Sequence, residues 1–106
     1  MSFFKSLFGG NQSNAKADEY FSQGAALGQA QKWPEAIKAL NEAVRLNPNH
    51  AKAHMSLAMC YGGIMDFDSA RKHYEILKKL DPELAGRLAN SPAGALMLRG
   101  GNIIRM

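Results

Sequence analysis

The chain has 106 residues, 46% of them hydrophobic and 21% charged, with a formal net charge of +4. This is enough for one small globular domain with little core to spare. The charge is mild and scattered, and no stacking aromatics accompany its densest run (Arg71, Lys72, Lys78, Lys79), which argues against a nucleic-acid-binding surface. A single cysteine, Cys60, excludes an internal disulfide, and no apolar stretch approaches the length of a membrane span.

In chain order, the opening MSFFKSLFGG places Phe3, Phe4, Leu7 and Phe8 on one side of a helical turn or two, which Gly9 and Gly10 end. The polar run up to Lys16 reads as a flexible linker, so residues 1–16 form an N-terminal apolar segment and its linker. The apolar run is too short for a signal-peptide core, and Ser2 after the initiator methionine excludes N-myristoylation. Burying such side chains is worth about 1.5–3 kcal/mol each. That gives residues 3–8 a weak membrane-surface attachment or a contact with a partner.

A first helix is predicted from Ala17 to about Gly28, with Asp18 and Glu19 near its positive end. A second follows a short turn. In WPEAIKALNEAVRLNP, the residues Trp33, Ala36, Ile37, Leu40, Ala43 and Val44 recur with helical period, Pro34 suits the first turn, and Pro48 ends the pattern. A third helix is predicted from Ala51 to about Ile64 and a fourth from Phe67 to Leu80, acidic at its start and basic at its end. Leu84 and Leu88 suit one face of a short fifth helix. Ser91 and Pro92 open another turn or two, and residues 85–106 read as a capping helix and an apolar tail.

Shifted by 34 positions the chain repeats itself. Ala17/Ala51, Ser22/Ser56, Gly28/Gly62, Ala36/Ala70, Lys38/Lys72, Leu46/Leu80 and Pro48/Pro82 are identical pairs. A 34-residue period holding two helices resembles the tetratricopeptide repeat. The first unit, 17–50, carries Tyr20, Gly24, Leu27, Ala36, Leu40, Ala43 and Pro48 at the patterned positions; the second, 51–84, carries Leu57, Ala58, Tyr61, Ala70, Tyr74 and Pro82. The departures are Gln23 for an aliphatic residue, His54 for an aromatic and Leu77 for a small one. The resemblance implies an all-α fold: antiparallel helix hairpins stacked as a short right-handed solenoid, closed by a C-terminal capping helix.

Motifs for catalysis are missing from the sequence: it has no P-loop, nucleophile elbow, zincin helix or dinucleotide fingerprint. His50 and His54 have a spacing that can hold a metal on a helix, but His50 belongs to a turn and no third ligand is evident. Cys60 and His73 are explained as ordinary helix positions rather than as a nucleophilic pair. The expectation is therefore a protein that is not an enzyme and takes no metal or cofactor.

The resemblance instead implies a concave face lined by the first helix of each repeat. Here that face would carry Asp18, Phe21, Ala25, Gly28 and Gln29, then Lys52, Met55, Met59, Gly62 and Gly63. Some relatives in this family hold a partner's terminal carboxylate with a cationic cluster, but Phe21 and Ala25 stand where such a clamp needs polar residues. An apolar groove for a peptide or an amphipathic helix is expected, with methionines that adapt to varied partners. The function implied is a small non-catalytic adaptor in the cytoplasm, or peripheral at the inner membrane surface. The alternative is a self-associating structural subunit, because two repeats are fewer than the three usually needed. Its groove would be filled by another copy or by its own tail, where Leu96, Leu98, Ile103 and Ile104 lack a core to join.

Overall fold

The computed structural model describes residues 2–92 and 94–95, with side chains from residue 14 onward. The expected contacts of Phe3, Phe4, Leu7 and Phe8, and the tail beyond Ala95, lie outside the described residues and side chains. Among the described residues five helices follow one another: α1 (Ser2–Gln29), α2 (Trp33–Leu46), α3 (Ala51–Gly63), α4 (Phe67–Leu80) and α5 (Pro82–Asn90). Among the described residues there is no strand, and no helix is long and apolar enough to cross a membrane.

The 34-residue period is written in the backbone as well as in the side chains. Among the described residues, Gln31 and Met65 are the two non-glycine residues with positive φ, at 62° and 64°. The residues after them, Lys32 and Asp66, start α2 and α4 at φ/ψ of −88°/71° and −89°/78°. Asn47 and Asp81 leave those helices at −140°/89° and −152°/86°. Each inner helix stops in the same way. The Lys32 amide donates to the Leu27 carbonyl and that of Gln31 to Gly28, while Asp66 donates to Tyr61 and Met65 to Gly62. These paired bonds form a Schellman cap, which satisfies the last carbonyls and reverses the chain. A non-glycine residue in the left-handed region costs about 1–2 kcal/mol, and the chain accepts it at both equivalent turns.

The starts of α3, α4 and α5 are fixed by side chains. Asp66 accepts from the Ser69 amide, Asp81 from that of Leu84, and His50 Nδ1 from that of Ala53. The predicted boundaries of α2, α3 and α4 hold to within a residue or two. The first helix does not begin where expected: α1 is unbroken from Ser2, through the segment read as a linker. Gly9 and Gly10 weaken a helix by about 1 kcal/mol each. Without a proline in the run, however, nothing removes a backbone donor, and a helix already nucleated by the packed residues from Ala17 onward can propagate backwards.

The core has two joined parts. Ala36, Leu40, Leu57 and Cys60 bind the first hairpin to α3; Ala58, Ala70, Leu77, Ala85 and Leu88 bind α3, α4 and α5. Tyr61 packs against both, half-buried rather than a full core residue. The departures from the repeat pattern acquire reasons. Leu77 is fully buried against Ala85 and Leu88, filling space beneath α5 that its small counterpart Ala43 could not fill. His54 is 5% exposed with both ring nitrogens hydrogen-bonded, and Gln23 faces water. Ala17, Ala51 and Ala85 recur at intervals of 34, so α5 begins as the inner helix of a third, incomplete unit and caps the stack.

The hairpins are close because their facing residues are small. A Cβ at Gly24 would lie 2.5 Å from Leu40 Cγ and 3.2 Å from the Ala36 carbonyl oxygen. By contrast, a Cβ at Gly86, within α5, would meet nothing within 4 Å. Gly24→Ala is therefore expected to destabilise the fold by about 1–3 kcal/mol through overpacking. Gly86→Ala should stabilise it by about 0.5–1 kcal/mol through helix propensity. Urea unfolding followed by circular dichroism measures both; equal effects of the same sign would contradict this packing.

Candidate functional site: an apolar groove

A concavity of about 610 Å³ opens between the inner helices. From α1 it takes Phe21, Gly24, Ala25, Gly28 and Gln29, and from α3 Met55, Ser56, Met59, Cys60, Gly62 and Gly63. Trp33, Met65, Phe67, Leu88 and Gly94 complete the lining. None of the sixteen lining residues carries a formal charge at neutral pH, and only Gln29 and Ser56 bring ordinary polar side chains. Burial pushes the Cys60 thiol above its ordinary pKa, so it stays neutral near pH 7.

Of the residues expected along this face, Phe21, Ala25, Gly28, Gln29, Met55, Met59, Gly62 and Gly63 are brought together. Lys52 is exposed in the first turn of α3 and is not part of the lining, its ammonium staying in water. Asp18 also faces water, where its carboxylate meets His50. Trp33, Met65, Phe67, Leu88 and Gly94 were not expected here. Helical periodicity assigns Trp33 to the supporting helix but is silent on a residue at the hairpin turn. The legible signal was the doubled glycine at 62–63: a Cβ at Gly63 would come within 2.6–2.9 Å of the Trp33 ring, so the indole lies on bare backbone.

Gly28 and Gly62, an identical pair of the 34-residue repeat, have a shared local position. Gly28 and Gly62 each accept one bond of a Schellman cap, close to a helix end where a glycine costs little. A Cβ at Gly28 would stand 3.2 Å from Cys60 Sγ, so that glycine lets α1 approach α3. No glycine among the described residues has a positive φ. At Gly28 it is closeness, not backbone freedom, that the glycine provides.

The histidines behind this face form hydrogen bonds that bind helices together. His50 Nδ1 accepts from the Ala53 amide at 3.1 Å, which leaves Nε2–H to donate to Asp18 Oδ1 at 2.8 Å. This links α3 to α1, with the Phe21 ring 5.0 Å from the imidazole. His54 Nε2 is 2.9 Å from the Pro48 carbonyl oxygen and must donate to it; its Nδ1 then accepts from His73 Nδ1–H at 3.1 Å. The ring of His73 stacks on Tyr61 at 5.6 Å. Each of these nitrogens is already engaged, and among the described residues no three His, Cys, Asp or Glu side chains gather as a metal site would need. His73 bonds to His54 rather than to Cys60.

Burial, then the proximity of His54 and Lys72, lowers the His73 pKa from 6.5 to about 4. A histidine depressed in the folded state takes up its proton more readily when unfolded. Its contribution to stability is therefore fully present above about pH 6.5 and is lost as the pH falls from there toward about 4. Urea midpoints should fall across that window in the natural protein, and His73→Gln should flatten much of the slope. An unchanged slope in the variant would remove His73 from this account.

Comparison with known proteins gives a consistent pattern. A family model described as the tetratricopeptide repeat matches residues 17–50. The chain is 39% identical over 66 residues to the Hsp70-Hsp90 organizing protein of Triticum aestivum, covering 62% of this chain and 11% of that protein. It is 39% identical over 66 residues to Hsp70-Hsp90 organizing protein 1 of Glycine max, covering 62% and 12%. It is 45% identical over 49 residues to the protein O-mannosyl-transferase TMTC4 of Mus musculus, covering 46% and 7%. The chain thus spans only about a tenth of the length of the curated relatives it matches.

Proposed function

The chain is a tetratricopeptide-repeat protein, and on that premise we propose that it is a non-catalytic protein–protein interaction module whose concave face takes an apolar peptide or one face of an amphipathic helix. The observation that carries this reading is the chemistry of the groove: about 610 Å³, open, with no charged residue among the described residues of its lining. A volume of this order suits a few anchoring side chains, and anchors at i, i+3 or i+4 and i+7 are how a helix enters such a groove. Met55 and Met59 give it adaptable walls; Met59 is 47% exposed and free to meet a partner.

The names of the wheat and soybean relatives tie those proteins to two chaperones, Hsp70 and Hsp90. This chain shares their repeat, but no Lys or Arg lines its groove among the described residues. Recognition here rests on apolar side chains, and a ligand read mainly by negative charge is disfavoured. The mouse relative is named for a transferase, yet the match takes in 7% of that protein, and among the described residues the groove lining holds no acid, base or activated nucleophile to serve a reaction.

Selection from a random peptide library displayed on phage tests the proposal. Recovered sequences should carry apolar residues at helical spacing, and Met59→Glu should weaken their binding about ten-fold or more, since burying a side chain of this size is worth over 1.4 kcal/mol. Gly62→Leu should do the same by filling the groove while leaving helicity largely intact. Full affinity in both folded variants would move the binding surface elsewhere.

Self-association is the second reading, favoured by Met59, Ile64 and Met65, which stand 47%, 45% and 74% exposed near one end of the groove. Sedimentation of a concentrated solution as a dimer that Met65→Lys dissociates would support it; a monomer at all concentrations would exclude it.

A further inference from the structure

The groove has an occupant within reach. We propose that residues 96–106 of the chain fold back into the groove, so that a partner binds by displacing them. This rests on the groove being the binding face, and it identifies what guards that face.

The course of the chain after α5 carries the inference. Ser91 leaves the helix in an extended conformation, at φ/ψ of −74°/152°. Its hydroxyl donates to the Leu88 carbonyl at 2.7 Å and accepts from the Gly94 amide at 2.9 Å. Its own carbonyl accepts from the Ala95 amide at 2.8 Å, so the corner caps a new helical start. Leu88 before this corner and Gly94 after it both line the groove, and Gly94 is buried. A Cβ at Gly94 would overlap the Leu88 carbonyl oxygen at 1.7 Å, so a glycine permits the chain to return this tightly. The C-terminal residues therefore depart from the wall of the groove itself.

Their length and chemistry suit it. Residues 96–106 reach about 16 Å as a helix or about 36 Å extended, against about 20 Å for the thirteen residues of α3. They supply Leu96, Met97, Leu98, Ile103, Ile104 and Met106, with Arg99 and Arg105 as their only charges. Such apolar side chains suit a lining that carries no charge among the described residues, and the long stems of two arginines allow their heads to stay in water. A tethered segment acts at an effective concentration of the order of millimolar. A tail that binds in trans with a Kd of about 0.1 mM would then weaken a competing ligand about ten-fold.

The full chain offers two built-in probes, because its only tryptophan, Trp33, and its only cysteine, Cys60, both line the groove. In the double variant Leu98→Asp/Ile104→Asp, acrylamide quenching of Trp33 should rise and Cys60 should react several-fold faster with Ellman's reagent. A synthetic peptide of residues 96–106 should bind that variant and not the natural protein, and phage-selected ligands should bind the variant about ten-fold tighter. Should the double variant lose helicity, Leu98→Ser alone gives the same readings in weaker form. Unchanged Trp33 and Cys60 with no binding of the tail peptide overturn the proposal. If selected ligands nevertheless bind the natural protein, the groove reading stands and the tail is discarded. Exposure of both probes that depends on protein concentration, with a dimer in sedimentation, overturns it in favour of a second copy.

Discussion

The structure depends on how closely the two helices of the first hairpin approach. Gly24 presents no side chain to Leu40, and Leu40, with no exposed surface, fills the space thus left. Ala36 and Ala43, also fully buried, keep the rest of that contact thin. A side chain at Gly24 would push α2 outward, and α2 carries Trp33 at its start. Trp33 in turn lies against the bare backbone of Gly63, at the end of α3. The groove's shape is therefore set by contacts outside it: one glycine fixes the hairpin, and the hairpin sets the indole that forms part of the groove wall.

α3 makes the two repeats one body. Leu57 and Cys60 face the first hairpin while Ala58 faces α4 and α5, so a single helix contributes to both halves of the core. The buried histidine pair strengthens the same seam with bonds that apolar packing cannot make: His54 holds the Pro48 carbonyl between the repeats and the ring of His73 on α4. A chain this short buries a limited share of its surface, and α5 adds Ala85 and Leu88 to close the open side of the second hairpin. The fold leaves its inner face uncovered along the described residues, which is where interaction is proposed.

Much of this was legible in the sequence because it follows from period and punctuation. Apolar spacing gave α2, α3 and α4, the 34-residue offset gave their stacking, and the prolines at 48 and 82 marked the ends of α2 and α4. Eight of the ten residues expected along this face are in the groove lining, Asp18 and Lys52 being the exceptions. The rest escaped because spacing defines a face but not its edge. Lys52 has the right phase yet lies in the first turn, where its side chain reaches water. Trp33, Phe67 and Met65 lie at turns, where periodicity says nothing and the left-handed residues at 31 and 65 decide the direction of the chain. The glycines at 9 and 10 suggested a break, but weak propensity alone does not end a helix that tertiary packing has begun.

The central claim is that binding takes place on the inner face of the stack, and the methionines can report on it directly. With methyl-labelled methionine in the full chain, Met55 and Met59 have resonances inside the groove. On titration with a phage-selected apolar peptide, those two methyl signals and the Trp33 indole signal should shift together and saturate at the binding affinity. A peptide that binds while Met55, Met59 and Trp33 keep their positions would contradict the account and place the docking surface outside the groove.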